Sequence, residues 1–180
     1  MLPTDTVYGV AADSENPDAL ARLYAAKGRG EEKPLQLLLA EPGWLDQVAG
    51  SVSSEAKKLA DAFFPGGVTL VVARGASLRS EVVAGGTTVG VRVPAHEACL
   101  EVLRAFGRPV AASSANRSGG PSPKTAQEAI EQIGPAVALV IDAGPCPIGL
   151  DSTVIDATCS PVRILRQGAV RASEIERALQ

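Results

Sequence analysis

The sequence predicts a single α/β domain built around a mixed β-sheet. Short apolar runs typical of buried strands are interspersed along the whole chain with segments of helical apolar periodicity. Several predicted strands follow one another without a helix between them, which excludes the strict βαβ alternation of a doubly wound fold. The chain has 180 residues and carries no internal repeat or linker, so one domain is expected.

Capping signals mark the predicted helices. Asn16-Pro17 predicts the start of a first helix, which Gly28 and Gly30 end. Ser53 or Ser54 caps a second helix that runs to residue 64, before Pro65-Gly66-Gly67. Further helices are predicted at residues 98–106, after the capping box formed by Thr125 and Glu128, and after a capping box formed by Ser173 and Glu176.

The predicted strands are short runs of Val, Ile and Leu bounded by turn residues. They lie at residues 35–39, 68–72, 88–93, 109–112, 137–141, 153–155 and 163–165. Loops rich in Ser, Thr, Asn, Gly and basic residues come directly after several of them. Ligand-binding loops commonly lie at such positions.

Composition and charge limit the classes of function. The net charge of −3 argues against a general nucleic-acid-binding surface, although a local cationic cleft stays compatible with it. The cysteines, Cys99, Cys146 and Cys159, are odd in number and form no C-x-x-C pair. This predicts a reducing, cytoplasmic compartment and no zinc site. No apolar run approaches the ~18 residues of a transmembrane helix.

Two early segments carry residues suited to ligands. Residues 3–9, PTDTVYG, place hydroxyls on both sides of a carboxylate, which suits a small polar substrate or simply a turn; residue types alone favour the turn. Lys27, Arg29 and Lys33 lie on a glycine-bearing stretch after a helix. They indicate either phosphate contacts or a solvated helix end. No Walker A motif occurs in the chain.

Arg92 stands in an otherwise apolar predicted strand. An inward-facing arginine requires an anionic partner, because an unpaired buried charge is costly. The alternative is an arginine on the solvent face of the strand. His96, the single histidine, has no evident serine or cysteine partner in the sequence, so general-base catalysis is the less favoured interpretation.

The segment 113–124, SSANRSGGPSPK, concentrates hydroxyls, an amide, glycines and two cations before a helix. Backbone amides in such loops bind anions, which favours a functional interpretation over an ordinary surface loop. Ser152 opens one predicted strand, and Arg166 closes another beside a glycine.

Together these segments resemble the YrdC/Sua5 family of threonylcarbamoyl-AMP synthases. The most specific pieces are residues 3–9, Lys27-x-Arg29, Ser114-Ala115-Asn116 with the following SGGPSP, Asp151-Ser152-Thr153-Val154 and Ile164-Leu165-Arg166-Gln167-Gly168. The resemblance implies a twisted mixed sheet with helices around a concave, positively charged cavity. It also implies synthesis of threonylcarbamoyl-AMP and pyrophosphate from L-threonine, bicarbonate and ATP.

Site residues follow from the same resemblance. Thr6, Arg92 and Ser152 match positions that hold the threonine, with Arg92 on its carboxylate. Positions around the ATP match Lys27, Arg29, Lys33, Thr88, Ser114, Asn116, Ser122 and Arg166. Because the phosphates gain negative charge during the reaction, placed cations, hydrogen-bond donors and Mg²⁺ bound with ATP are expected. No protein metal site and no nucleophilic side chain is expected.

The resemblance further implies partners. A threonylcarbamoyl-transferase complex would move the product's threonylcarbamoyl group to adenosine 37 of tRNAs that read codons starting with A, and contact with tRNA is an open expectation. Gly30 and Leu38 depart from the family, which often has proline and sometimes histidine there. Residues 1–180 are expected to form one YrdC-like domain that lacks the family's first helix and strand.

Three other functions stay open at this point. One is a non-catalytic RNA-binding module of the same fold, which the acidic net charge and the 3% aromatic content weaken. The second is a carbamoyl-transfer domain like those within hydrogenase-maturation proteins. The third is a nucleotide sensor. Turnover of ATP with threonine and bicarbonate distinguishes all three from the synthase.

Overall fold

The structure, a computed structural model, describes residues 1–28, 30 and 33–180. Arg29, Glu31 and Glu32 lie outside the described residues. The described strands are β1 Gly9–Asp13, β2 Gln36–Leu38, β3 Ala49–Ser51, β4 Val68–Arg74, β5 Thr88–Arg92, β6 Val110–Ser114, β7 Thr153–Asp156 and β8 Arg163–Arg166. The described helices are α1 Pro17–Lys27, α2 Leu45–Val48, α3 Ser54–Phe63, α4 Glu97–Phe106, α5 Ala126–Ile133 and α6 Ala172–Leu179, with short 3₁₀ turns at Pro42–Trp44 and Gly134–Ala136.

All eight described strands belong to one sheet. Their order is β1-β6-β2-β5-β4-β7-β8, and β3 pairs with β4 beside this path. The pairs β2/β5 and β4/β7 are parallel, whereas the other pairs are antiparallel. The predicted mixed sheet in a single α/β domain is confirmed.

The central strands divide their side chains between two faces. On β4, Val68, Leu70 and Val72 are at most 1% exposed and belong to the hydrophobic core, whereas Thr69 and Val71 line a cavity. On β5, Val89 and Val91 are buried in the same way, while Thr88, Gly90 and Arg92 line the cavity. This is the period of two that a strand imposes. Polar residues within apolar strands are therefore directed to one common surface.

Most of the predicted caps are confirmed. The side chain of Asn16 accepts hydrogen bonds from the N–H groups of Asp18 and Ala19, and Gly28 ends α1 in the left-handed conformation with φ of 56°. The hydroxyl of Ser53 accepts from the N–H of Ala56 at the start of α3. The hydroxyl of Thr125 accepts from the N–H of Glu128, so each cap satisfies an otherwise unpaired donor of a first helical turn.

Two predictions of local structure are wrong, and two strands were not predicted. Residues 137–141 form no strand; after the 3₁₀ turn Gly134–Ala136 this segment has hydrogen bonds to Met1 instead of a ladder. The last helix begins at Ala172, where the carboxylate of Glu174 accepts from the N–H of Arg171, so Ser173 and Glu176 are not its capping box. Strands β1 and β3 were not predicted, because GVAAD and AGS are weak strand formers and become strands by pairing with β6 and β4.

Candidate functional site

A cavity of about 380 Å³ lies on the polar face of the central strands. This volume is within the range of small-molecule sites, ~300–1,000 Å³. Six of the predicted site residues line it: Thr6, Thr88, Arg92, Ser114, Ser152 and Arg166. The sequence segments that carry them are separated by as much as 160 residues along the chain (6 to 166). The fold therefore brings distant predicted residues to one surface.

The segment before β1 is both a turn and a wall of the cavity. The hydroxyl of Thr4 donates to the carbonyl of Val7 at 2.7 Å and accepts from the N–H of Thr6 at 3.2 Å. Because the single hydroxyl proton of Thr4 is thereby used, Thr6 donates across the 3.0 Å contact between the two hydroxyl oxygens. The turn interpretation and the binding interpretation of residues 3–9 are thus compatible, since the turn places Thr6 at the cavity.

Arg92 is 2% exposed and is paired within the chain. Its Nη2 atom lies 2.5 Å from Oδ1 of Asp5, its Nη1 atom donates to Oγ1 of Thr6 at 2.6 Å, and its Nε atom donates to the carbonyl of Gly66 at 2.8 Å. Burial lowers the pKa of the Arg92 guanidinium, and the charge of Asp5 opposes that effect. The expectation of an anionic partner is confirmed, and that partner is Asp5.

A second cluster surrounds Ser152. Its hydroxyl lies 2.8 Å from the hydroxyl of Thr69, which donates to Oε1 of Gln36 at 2.9 Å. Arg166 Nη2 donates to the carbonyl of Ser152 at 2.9 Å and to its hydroxyl at 3.2 Å. Arg166 is thus anchored to the start of β7 while its exposed guanidinium lines the cavity.

Lys27 stabilises the loop after β6 through hydrogen bonds. The ammonium of Lys27, which is 2% exposed, donates to the carbonyl of Ser114, to the carbonyl of Asn116 at 2.8 Å and to Oδ1 of Asn116 at 3.4 Å. The amide nitrogen of Asn116 donates to the carbonyl of Gly120 at 2.7 Å. Lys27 and Asn116 therefore fix the loop that places Ser114 on the cavity wall.

The remaining predicted residues lie at different distances from the cavity wall. The hydroxyl of Ser122 donates to Oδ1 of Asp151 at 2.9 Å, and Asp151 lines the cavity. Lys33 is exposed and adjoins Pro34, which lines the cavity, but Lys33 is not itself among the described lining residues. Arg29 lies outside the described residues. The described lining contains two arginines and one carboxylate.

Gly168 allows the turn after β8 to pack closely against the backbone of Asp151 and Ser152. A Cβ atom there would lie 2.2 Å from the carbonyl oxygen of Asp151 and 2.6 Å from the carbonyl of Ser152. Real Cβ atoms do not approach backbone atoms that closely, so only glycine fits without moving β7. The predicted Ile164-Leu165-Arg166-Gln167-Gly168 motif therefore has a steric reason at its last residue.

Sequence analysis did not identify Gln36, Thr69, Asp5 or Asp151 as members of the site. Gln36 stands within LQLLL and Thr69 within VTLVV. A single polar residue in an apolar strand is the signal that singled out Arg92, and the same signal would have singled out Gln36 and Thr69, which line the same cavity. Asp5 and Asp151 lie inside segments that were singled out, but their partners belong to other segments of the chain.

Acid–base and nucleophilic groups are scarce around the cavity. His96 precedes α4, is not among the described lining residues, and its Nδ1 atom is buried without a hydrogen-bond partner there. Burial raises the pKa of the Cys99 thiol to about 12, so this cysteine is not a thiolate at neutral pH. Burial and then the charge of Asp142 raise the pKa of Tyr8 to about 12. Across residues 1–28, 30 and 33–180, no group of three or more His, Cys, Asp or Glu is arranged to hold a metal, and no helix could span a membrane.

Comparisons with known proteins identify the family of this chain. The Sua5/YciO/YrdC family model, described as "Telomere recombination", matches residues 1–168. The threonylcarbamoyl-AMP synthase of Pyrococcus abyssi is 40% identical over 178 residues, covering 99% of this chain and 52% of the relative. A putative threonylcarbamoyl-AMP synthase of Mycobacterium tuberculosis H37Rv is 40% identical over 179 residues, covering 99% of this chain and 82% of the relative.

Solved structures give the same result. The crystal structure of Pyrococcus abyssi Sua5 complexed with L-threonine has a TM-score of 0.96 at 39% identity, over 99% of this chain and 52% of the other. Escherichia coli YciO, at 22% identity, shares the fold with a TM-score of 0.87 over 97% of this chain and 84% of the other. This chain spans about half the length of the Pyrococcus relative. With the family model and these relatives in agreement, the chain belongs to the Sua5/YciO/YrdC family.

Proposed function

We propose that this chain is an L-threonylcarbamoyladenylate synthase, a nucleotidyltransferase that joins L-threonine, bicarbonate and ATP. The observation that carries the proposal is the convergence of Thr6, Arg92, Ser152, Ser114 and Arg166 on one cavity. Relatives at 40% identity bear the name threonylcarbamoyl-AMP synthase. A solved relative of nearly the same fold is complexed with L-threonine.

Threonine would bind at the end of the cavity formed by Thr6, Arg92 and Ser152. Each Nη atom of Arg92 carries two protons, and the contacts to Asp5 and Thr6 use one on each. A planar fork with donors left over suits a carboxylate. Asp5 keeps the guanidinium charged and oriented before the substrate arrives, so that this donor pair is preorganised.

ATP would occupy the end formed by Thr88 and Ser114, and Arg166, which is hydrogen-bonded to Ser152, would lie where this end meets the threonine end. Lys27, Asn116 and Ser122 hold the loops that shape this end, and we include Arg29 and Lys33 as further cations for the phosphates. A carbamate oxygen of the N-carboxylated threonine attacks the α-phosphorus, and the bond to the pyrophosphate oxygen breaks. Catalysis then consists of positioning and charge stabilisation, which needs no nucleophilic side chain.

Mg²⁺ is proposed to arrive with ATP. The described cavity wall supplies a single carboxylate, Asp151. Mg²⁺ in such sites is usually bound by substrate phosphates with one or two carboxylates, so the residues fit an ion held mainly by the nucleotide. Bound there, Mg²⁺ would neutralise charge on the phosphates. The product would pass to a threonylcarbamoyl-transferase complex that acts on tRNA.

The proposal is tested by pyrophosphate release from ATP and Mg²⁺, with and without L-threonine and bicarbonate. Release that requires both is the expected result. Ser114→Ala should lower the rate. Ser54→Ala is the matched control, because Ser54 is an exposed serine on α3 whose hydroxyl donates to Glu55. No release from folded protein would overturn the proposal, and RNA binding by that sample would favour the RNA-binding module instead.

A further inference from the structure

One hydrogen bond spans the floor of the cavity across an entire strand. Gln36 lies on β2 and Thr69 on β4, and β5 runs between them. The hydroxyl of Thr69 nevertheless reaches Oε1 of Gln36 at 2.9 Å, passing over Gly90. A Cβ atom at Gly90 would lie 3.3 Å from Cγ2 of Thr69 and 3.5 Å from Cβ of Gln36. The glycine thus leaves the space in which these two side chains meet.

The direction of this hydrogen-bond chain follows from counting protons. Thr69 has one hydroxyl proton and donates it to Oε1 of Gln36. Ser152 must therefore donate to Thr69 across their 2.8 Å contact, and Ser152 in turn accepts from Nη2 of Arg166. The chain begins at a permanent cation and ends on the amide oxygen of Gln36. With Oε1 of Gln36 as the acceptor, Nε2 is the donor end of the amide.

The Gln36 amide nitrogen is left as a donor at the cavity. Within the described part of the chain, the hydrogen bonds of the Gln36 side chain involve Oε1 alone, and Gln36 lines the cavity. Gln36 pairs with Gly90, which lies midway on β5 between Thr88 and Arg92. The donor therefore stands between the proposed nucleotide end and the proposed threonine end.

From this position we infer that Gln36 binds the bicarbonate and the carbamate formed from it, through its Nε2 atom. The inference rests on the proposed function and deepens it. The threonine amine and the α-phosphate meet between the two ends of the cavity, so the one-carbon unit that joins them lies beside Gln36. Thr69 is a positioning residue in this scheme, because it acts by orienting the amide.

The chemistry in which Gln36 participates is balanced without any further reactant. The nitrogen lone pair of threonine forms a bond to the bicarbonate carbon, one carbon–oxygen bond breaks, and water leaves with a proton from the amine. The product carbamate keeps the single negative charge of bicarbonate. Gln36 stays neutral throughout and donates a hydrogen bond to an anionic oxygen, which is a stronger interaction than one between neutral groups.

The test measures KM for each of the three substrates in Gln36 variants. Gln36→Leu removes the donor, and Gln36→Glu removes it while leaving an acceptor for Thr69. Both should raise KM for bicarbonate by about 10- to 100-fold, the loss of one hydrogen bond to a charged group, with KM for L-threonine and ATP within about threefold. Gln127→Leu, an exposed glutamine on α5, is the matched control.

Thr69 supplies a second readout that a purely structural role would not move. Thr69→Val should raise KM for bicarbonate as Gln36→Leu does, Thr69→Ser should restore it, and the double variant should be no worse than Gln36→Leu alone because both act through one amide. An unchanged bicarbonate KM in Gln36→Leu and Gln36→Glu, or an equal rise in all three KM values, would overturn this inference and leave the proposed function standing. Absence of product with the unsubstituted protein would overturn the proposed function and this inference with it.

Discussion

At the scale of single residues, polar side chains in apolar strands mark the site. Arg92, Gln36 and Thr69 each interrupt a run of buried aliphatic residues, and all three line the cavity. A strand sends alternate residues to opposite faces. One such interruption therefore shows which face of a strand is polar, although it does not identify the partner that the polar group meets.

The Asp5–Arg92 pair leads to a prediction about stability. Asp5→Asn keeps the shape of the side chain but leaves the guanidinium of Arg92 buried without its countercharge. We expect the free energy of unfolding to fall by about 3–5 kcal/mol, the usual cost of removing one member of a buried ion pair. Urea denaturation of the unliganded protein at neutral pH measures it.

The control for this prediction is an ion pair of the same type at the surface. Arg104 and Glu97 lie 2.7 Å apart, with side chains 53% and 68% exposed. Glu97→Gln should cost no more than about 1 kcal/mol, since exposed pairs contribute little. If Asp5→Asn costs as little as Glu97→Gln, the buried pair does not stabilise the fold.

At the scale of secondary structure elements, the turn after β8 holds the start of β7. The hydroxyl of Thr153 donates to the carbonyl of Val170 at 2.7 Å and accepts from the N–H groups of Gly168 and Val170, each at 3.0 Å. The N–H of Ala169 donates to the carbonyl of Asp151 at 2.9 Å. These bonds fix Ser152 and Arg166 relative to each other, so the two predicted motifs 151–154 and 164–168 work as one unit.

Gly168→Ala should disturb this unit. The added Cβ atom would clash with the backbone of Asp151 and Ser152, and one methyl forced against rigid backbone costs about 1–3 kcal/mol of unfolding free energy. KM for L-threonine should rise as well, because Ser152 would move with its strand. Thermal denaturation and steady-state kinetics measure the two effects.

Gly43→Ala is the matched substitution outside the site. The nearest atom to a Cβ at Gly43 is Oε1 of Glu41 at 3.8 Å, an ordinary contact. Little change in stability or KM is expected from it. Equal effects of the Gly43 and Gly168 substitutions would contradict the steric argument.

At the scale of the whole molecule, one chain supplies every described wall of the cavity. The lining residues extend from Thr6 to Arg166, although the chain spans only about half the length of its Pyrococcus relative. Binding of the proposed amino acid should therefore not need the additional length of that relative. The prediction concerns binding by these 180 residues alone.

L-threonine should raise the melting temperature of the 180-residue chain. A ligand that binds only the folded state adds about 2.7 kcal/mol to the free energy of unfolding at 100 times its Kd. D-threonine at the same concentration is the control, because it has the same composition and the opposite configuration. An equal shift with both enantiomers, or none with either, would contradict a specific threonine site in this chain.

Much of the fold could be predicted because its signals are local. The caps at Asn16, Ser53 and Thr125 act within four residues, and they were found. Strand β1 was missed because GVAAD becomes a strand through its pairing with β6, a hundred residues later. The strand predicted at 137–141 is wrong because composition alone does not provide a partner. The segment suits a strand by its residue types, but it pairs with none of the described strands of the sheet.

By its residues alone, the sequence determined the α/β class and most helices and strands, since each depends on side-chain type and short spacing. The set of site residues was predicted from the resemblance to a known family. Only the tertiary structure decided that Asp5 is the partner of Arg92 and that Gln36 and Thr69 meet across Gly90. It also decided that Lys27 hydrogen-bonds the loop that follows Ser114. Those contacts join residues far apart in the chain. Their geometry depends on strand order and register, and a local pattern carries no information about either.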